Sequence, residues 1–175
     1  LALSFHRSFE LPVAVARPFN TYGPRQSARA VIPTVLTQLA AGQGTIALGA
    51  LTPTRDFTFV RDTARGFLAV AASDAAVGEV TNLGSGFEIS IGAMAALAAE
   101  ALGRQVEIVQ DPARMRPEKS EVDRLFCDAS LAASRCGWTP EYGGREGFVR
   151  GLRETAEWFA DPAHLAHYRP GSYAL

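Results

Sequence analysis

Apolar and polar positions follow two different periods along this chain, and the period changes many times. Leu1, Phe5 and Phe9 recur at four-residue spacing, so residues 1–10 read as the end of a helix. Val13–Ala16 is a short continuous apolar run after Pro12 and reads as a buried strand. Ile32, Val35, Leu36 and Leu39 form one stripe, which predicts a helix over 30–41 with Pro33 tolerated in its first turn. Gly42 and Gly44 end it, and Ile46–Leu48 reads as a strand. Phe57–Val60 reads as another strand, followed by a helix capped by Asp62 and carrying Ala64, Phe67, Leu68 and Ala71. Val80–Leu83 is a strand closed by Gly84 and Gly86. Ser90 caps a helix that runs to Leu102 and stops at Gly103. Val106–Val109 is a strand, 111–124 a charged loop, and Asp128 caps a short helix ending at Gly137. Residues 145–160 form an amphipathic helix with Phe148, Leu152, Ala156 and Phe159 inward, and the tail from Pro162 reads as loop. Strands alternating with helices predict an α/β protein.

Composition narrows the function. The 175 residues have the length of one domain, and 47% hydrophobic with 20% charged residues suits a sizeable core. A net charge of -1 and a pI near 6.3 argue against nucleic-acid or membrane-surface binding. Cys127 and Cys136 lack CxxC spacing and read as reduced packing residues. No apolar run approaches the ~20 residues that span a bilayer, and no signal peptide is visible, so a cytoplasmic protein is expected. Because the first residue is Leu, an internal fragment or a processed chain is expected. Lys119 is the only lysine among 17 basic residues, so any chemistry needing a lysine must use it.

Several chemistries lack their motifs. There is no GxxxxGKS and no GxGxxG; Gly84-Ser85-Gly86 alone is a weak signal. His164 and His167 stand at i, i+3 without a third metal ligand at suggestive spacing, and no GxSxG elbow supports a serine nucleophile. What remains is arginine in loops at strand ends. Arg17, Arg25 and Arg29 flank the stretch RPFNTYGPRQ, Arg55 lies in TPTRDF, and Arg114 and Arg116 lie in the charged loop. A guanidinium fork suits phosphate oxygens, and open α/β sheets bind ligands where strands stop. Each arginine could equally be solvated or paired with an acid such as Asp56 or Glu118.

RPFNTYGPRQ, the AVIP helix start, LTPTRDFTFVRDTARGF, VTNLGSG and RPEKSEVDRLFCDASLAASRCGWTP occur in an order and spacing that resemble a known family. They are similar to the C-terminal half of extended short-chain dehydrogenase/reductases, the NAD-dependent sugar-nucleotide epimerases and dehydratases. The match covers roughly residues 1–160 of the chain. PTRDF, and SEV after RPEK, most resemble 4,6-dehydratases of nucleotide-linked N-acetylhexosamines.

The resemblance implies the last strands and helices of a Rossmann-type doubly wound sheet plus a small α/β substrate-binding domain. Residues 1–30 and 61–90 would belong to the dinucleotide-binding sheet, and 31–60 and 91–165 mostly to the nucleotide-sugar domain. It implies Arg17, Pro18 and Phe19 beside the NAD cofactor, and Asn20 at the sugar diphosphate. Arg29, Val31, Ile32 and Leu48 would line the nucleotide, Arg55 and Arg116 would clamp the diphosphate, and Glu121 would sit near the ribose or base. The implied reaction oxidises C4 of a UDP- or GDP-linked sugar, eliminates water and returns the hydride at C6.

One departure matters. The family's glycine-rich loop and YxxxK pair are not in this sequence: residues 26, 146 and 172, four after Tyr22, Tyr142 and Tyr168, are Gln, Glu and Ser, and Tyr173 is too near the end. No catalytic residue is therefore expected in these 175 residues. The chain is expected to begin just past the catalytic lysine, as part of a 4,6-dehydratase or a 4-epimerase. The alternative is a non-catalytic nucleotide-sugar binding module or half of a split enzyme. Homodimerisation or association with a missing N-terminal half is expected in either case.

Overall fold

The computed structural model describes residues 1–115, 117 and 121–168. Its helices are α1 (Ala2–Phe9), α2 (Val31–Ala40), α3 (Val60–Ala71), α4 (Ile91–Ala101), α5 (Ser130–Cys136), α6 (Gly144–Ala160) and α7 (Pro162–Leu165). Its strands are β1 (Val15–Pro18), β2 (Thr21–Tyr22), β3 (Thr45–Leu48), β4 (Thr54–Asp56), β5 (Thr58–Phe59), β6 (Val80–Leu83), β7 (Glu88–Ser90), β8 (Glu107–Gln110) and β9 (Arg124–Leu125). The α/β class expected from alternation is what forms, with parallel strand pairs. No helix among the described residues is long and apolar enough to cross a membrane.

The chain divides into two compact units. The first comprises residues 1–21, 56–87 and 126–148; the second comprises 22–55, 88–125 and 149–175. The segment 126–148, which the sequence assigns mostly to the nucleotide-sugar domain, thus lies in the first unit, and 22–30 lies in the second.

In the first unit, β1 and β6 pair in parallel, with Val15 opposite Val80 and Pro18 opposite Leu83. α3 packs on both strands and α5 packs on β6. The core beneath them is Val70, Ala76, Leu83, Ala132 and Trp138. α3 approaches β6 closely because residue 66 is glycine: a Cβ there would come within 2.6 Å of the Leu83 side chain. Parallel pairing with covering helices is the arrangement of a Rossmann-type sheet.

One expectation fails on α3, its cap. Val60 opens the helix instead of ending a strand, so Asp62 is its third residue and not its cap; the capping position is Phe59, whose side chain makes no cap bond. The stripe Ala64, Phe67, Leu68 and Ala71 faces outward, with Phe67 48% and Leu68 71% exposed. The buried side is Asp62, Thr63, Gly66 and Val70. α1 likewise buries none of its residues.

The second unit follows its sequence pattern more closely. The α2 stripe is buried, and α2 packs on α4 and β3. β3 and β8 pair in parallel, with Ile46 opposite Ile108. Ser90 caps α4 by accepting the Ala93 N–H at 3.2 Å. β4 lies between β7 and β9, with Arg55 opposite Leu125. The first part of the tail from Pro162 is helix, not loop: Asp161 caps α7 through the Ala163 N–H at 2.8 Å, and residues 169–175 lie outside the described residues.

Candidate functional site

In the first unit the RPFN stretch is a strand end. Arg17 and Pro18 are exposed and stand opposite Asn82 and Leu83. The Phe19 N–H donates to the Leu83 carbonyl at 2.9 Å, and the Asn20 Nδ2 donates to the Asp56 carbonyl at 2.9 Å. Asn20, expected at the sugar diphosphate, therefore spends one amide donor on holding the backbone. The two residues after Arg17 and Pro18 fix where those exposed side chains stand.

Asp56 organises the turns around it. Its fully buried carboxylate accepts the Ser85 N–H at 2.8 Å, the Ser85 hydroxyl at 2.7 Å, the Gly86 N–H at 3.2 Å and the Cys127 N–H at 3.4 Å. A buried carboxylate is tolerated only when so satisfied. Burial first, then the charges of Asp56 and Asp128, push the Cys127 thiol up to about 12, so it is an inert packing group.

This geometry decides what Gly84-Ser85-Gly86 is for. Two of its N–H groups point inward at a carboxylate, so the loop cannot cradle a phosphate. Gly84 is small because a Cβ there would collide with Cys127. Among the described residues a complete NAD site is therefore not present: they offer the exposed strand end Arg17–Pro18, with Phe19 half-buried beside it, and the Gly84–Gly86 loop offers no nest for the pyrophosphate.

Asp62 does for another turn what Asp56 does here. Its carboxylate accepts the Glu141 N–H at 3.0 Å and the Tyr142 N–H at 2.8 Å, while its carbonyl accepts the Trp138 indole N–H at 3.2 Å. Arg65 pairs with Glu141 on the outside. Sequence reasoning missed both aspartates as organising groups. The signal was present, because the two aspartates flank the largely apolar run FTFV, where a buried carboxylate is costly unless it has donors.

In the second unit, Arg55 is the cation nearest to a built site. Its side chain is 11% exposed; Nη2 donates to Glu121 Oε1 at 2.9 Å and Nη1 to the Thr54 carbonyl at 2.8 Å. Among the described residues this is the one side-chain bond joining two of the predicted site residues. Arg29 is exposed just before α2, and Val31 is half-buried at its first position. Ile32 and Leu48 are 1% and 3% exposed and belong to the core, so they offer no contact area to a ligand in this structure. Arg114 pairs with Asp111 at 3.2 Å. Arg116 lies outside the described residues.

Glu88 of β7 lies under a cation from β9. Arg124 Nη2 reaches its carboxylate at 2.6 Å, and the Thr54 hydroxyl donates to it at 2.9 Å. The hydrogen bond from Arg124, then that from Thr54, hold Glu88 below the ordinary carboxylate range. These bonds tie the three strands around Arg55 together.

Parallel strand pairs with covering helices, and a guanidinium held on β4, fit part of an extended short-chain dehydrogenase/reductase. Within that class the chain belongs to the GDP-mannose 4,6 dehydratase family, whose model matches residues 1–150. It is 32% identical over 162 residues to a dTDP-glucose 4,6-dehydratase of Actinoplanes, covering 91% of this chain and 47% of that protein. It is 37% identical over 134 residues to a GDP-6-deoxy-D-mannose reductase of Pseudomonas aeruginosa, covering 74% of this chain and 43% of that protein. The solved structure of an epimerase from Methanothermobacter thermautotrophicus superposes with a TM-score of 0.81 at 31% identity, covering 94% of this chain and 48% of that one. The NAD complex of a dTDP-glucose 4,6-dehydratase from Bacillus anthracis gives 0.76 at 28% identity, covering 90% and 48%. The chain spans about half the length of the curated relatives it matches.

Proposed function

We propose that this chain forms the nucleotide-sugar-binding portion of an NAD-dependent sugar-nucleotide 4,6-dehydratase. The observation that carries this reading is Arg55, a nearly buried guanidinium on β4 whose charge is met by Glu121, in the loop before β9. A diphosphate would displace Glu121 from the fork and gain a bidentate partner already oriented by the Thr54 carbonyl. Arg116 supplies the second cation, and Arg29 with Val31 meets the nucleotide at the start of α2. Arg17, Pro18 and Phe19 border the cofactor, which the rest of the enzyme holds. The enzyme acts in the cytoplasm, in keeping with Cys127 and Cys136, which form no disulfide. Its nucleotide is uridine or guanosine diphosphate.

Calorimetric titration of the chain with UDP, GDP and dTDP, with NAD as control, tests the reading. One nucleoside diphosphate should bind, and Arg55→Ala and Arg116→Ala should each weaken it at least tenfold, the scale of a lost charged hydrogen bond of about 1.5–3 kcal/mol. Binding of none of the three would overturn it.

A 4-epimerase is the second reading, favoured by the superposition on an epimerase. For either, the outward apolar face of α3 supports pairing with a second copy or with the polypeptide that makes up the rest of the relatives' length. A monodisperse monomer by light scattering, without a companion chain, would contradict that association.

A further inference from the structure

After α6 the chain turns back on aromatic contacts. The Trp158 ring stacks on His164 at 4.2 Å and 11°, and His164 Nδ1 lies 2.9 Å from the Trp158 carbonyl. Tyr168 meets Trp158 edge-on at 6.0 Å and Phe159 at 4.9 Å. Phe159 is fully buried, so the Tyr168 ring rests on a fixed platform. From there the Tyr168 hydroxyl donates to the Gln26 carbonyl at 3.0 Å. Burial raises the phenol above its ordinary value, so it remains a donor at neutral pH.

Gln26 sits in the middle of the loop between β2 and α2. Arg25 holds the left-handed φ of 67° there, a conformation that side chains other than glycine adopt only under constraint. Within the loop, the Gln26 N–H reaches the Gly23 carbonyl and the Arg29 N–H reaches Ser27 Oγ at 3.4 Å, and the Ala30 N–H reaches the Ser27 carbonyl at 3.0 Å. From outside the loop comes the bond of the Tyr168 hydroxyl to the Gln26 carbonyl, which ties the loop to a segment 142 residues away.

We propose that Tyr168 is a positioning residue, and that the segment from Asp161 to Tyr168 acts as a strap fixing the Gly23–Arg29 loop so that Arg25 and Arg29 are presented to an anionic ligand. The ligand is a nucleoside diphosphate, and this identity rests on the function proposed above. The strap itself rests only on the aromatic platform and the hydroxyl bond.

Tyr168→Phe keeps the ring and removes only the donor. Trypsin cuts after Arg25 and Arg29, both exposed, so native-state proteolysis reads the loop directly. The variant should speed cleavage at these two sites and weaken binding of whichever of UDP, GDP or dTDP the wild type takes. Each change should be about three- to tenfold, the worth of one hydrogen bond. The melting temperature should fall by no more than about 5 °C, the scale of one lost hydrogen bond in a chain of this length. His167→Ala, a change at an exposed neighbour, should alter none of these readings. Unchanged cleavage overturns the strap. Faster cleavage with unchanged affinity overturns the positioning role. If the wild type binds no nucleotide, the functional reading fails and the ligand assignment with it, while cleavage still decides the strap.

Discussion

In α2 the apolar stripe Ile32, Val35, Leu36 and Leu39 is wholly buried, whereas in α3 the stripe Ala64, Phe67, Leu68 and Ala71 lies open and the helix buries Asp62, Thr63, Gly66 and Val70 instead. Both stripes predict a helix, and both helices form. Periodicity fixes the conformation because side chains three and four apart share a face. It does not say that the face will be covered by this chain. α3 is anchored through a carboxylate that knits a turn to it, and through a glycine that lets it approach a strand. α2 is anchored by hydrocarbon.

The contrast is open to direct attack. Asp62→Ala should have the largest effect, about 4 kcal/mol in urea unfolding, because it strands the N–H groups of Glu141 and Tyr142 inside the protein. A loss below about 1 kcal/mol would mean that the turn finds other partners. Leu36→Ala should follow at about 3 kcal/mol, a transfer loss plus a cavity under α2. Leu68→Ser should change stability by no more than about 0.5 kcal/mol while improving solubility. A loss as large as that of Leu36→Ala would erase the contrast.

The smallest effect concerns pH. Glu88 titrates below its ordinary value of 4.5 because Arg124 and Thr54 donate to its charged form. A group depressed in the folded state stabilises above its unfolded value, and the benefit fades as pH falls through the folded one. Arg124→Gln should return Glu88 toward 4.5, read by its carboxyl chemical shift across an acid titration. An unmoved midpoint would remove Arg124 as the cause.

The sequence was most legible where a signal is local. The Ser90 cap, the stop at Gly103 and the inward face of α6 can all be read from neighbours a turn apart. The very short strands β2, β4, β7 and β9 were not legible, since two or three residues carry no period. The site was legible in part. Arg55 stands out as an arginine before a strand, and the resemblance supplied Glu121 as a site residue. Their mutual bond joins positions 66 residues apart and leaves no trace in either neighbourhood. Ile32 and Leu48 show the opposite limit: an apolar residue assigned to a ligand wall and one assigned to a core look alike in sequence, and only burial separates them. The aromatic strap was illegible because Trp158, His164 and Tyr168 are spaced for no regular element.

The parallel pairings set the order in which this molecule can assemble. Val15 meets Val80, Thr45 meets Glu107 and Thr54 meets Arg124, so each joins strands roughly 60–70 residues apart. No hairpin can seed them, and the loop entropy is lost before the ladder returns anything. Folding therefore belongs to the slow, non-local regime. During that interval Phe67 and Leu68, which this chain by itself leaves uncovered, are available to any passing chain.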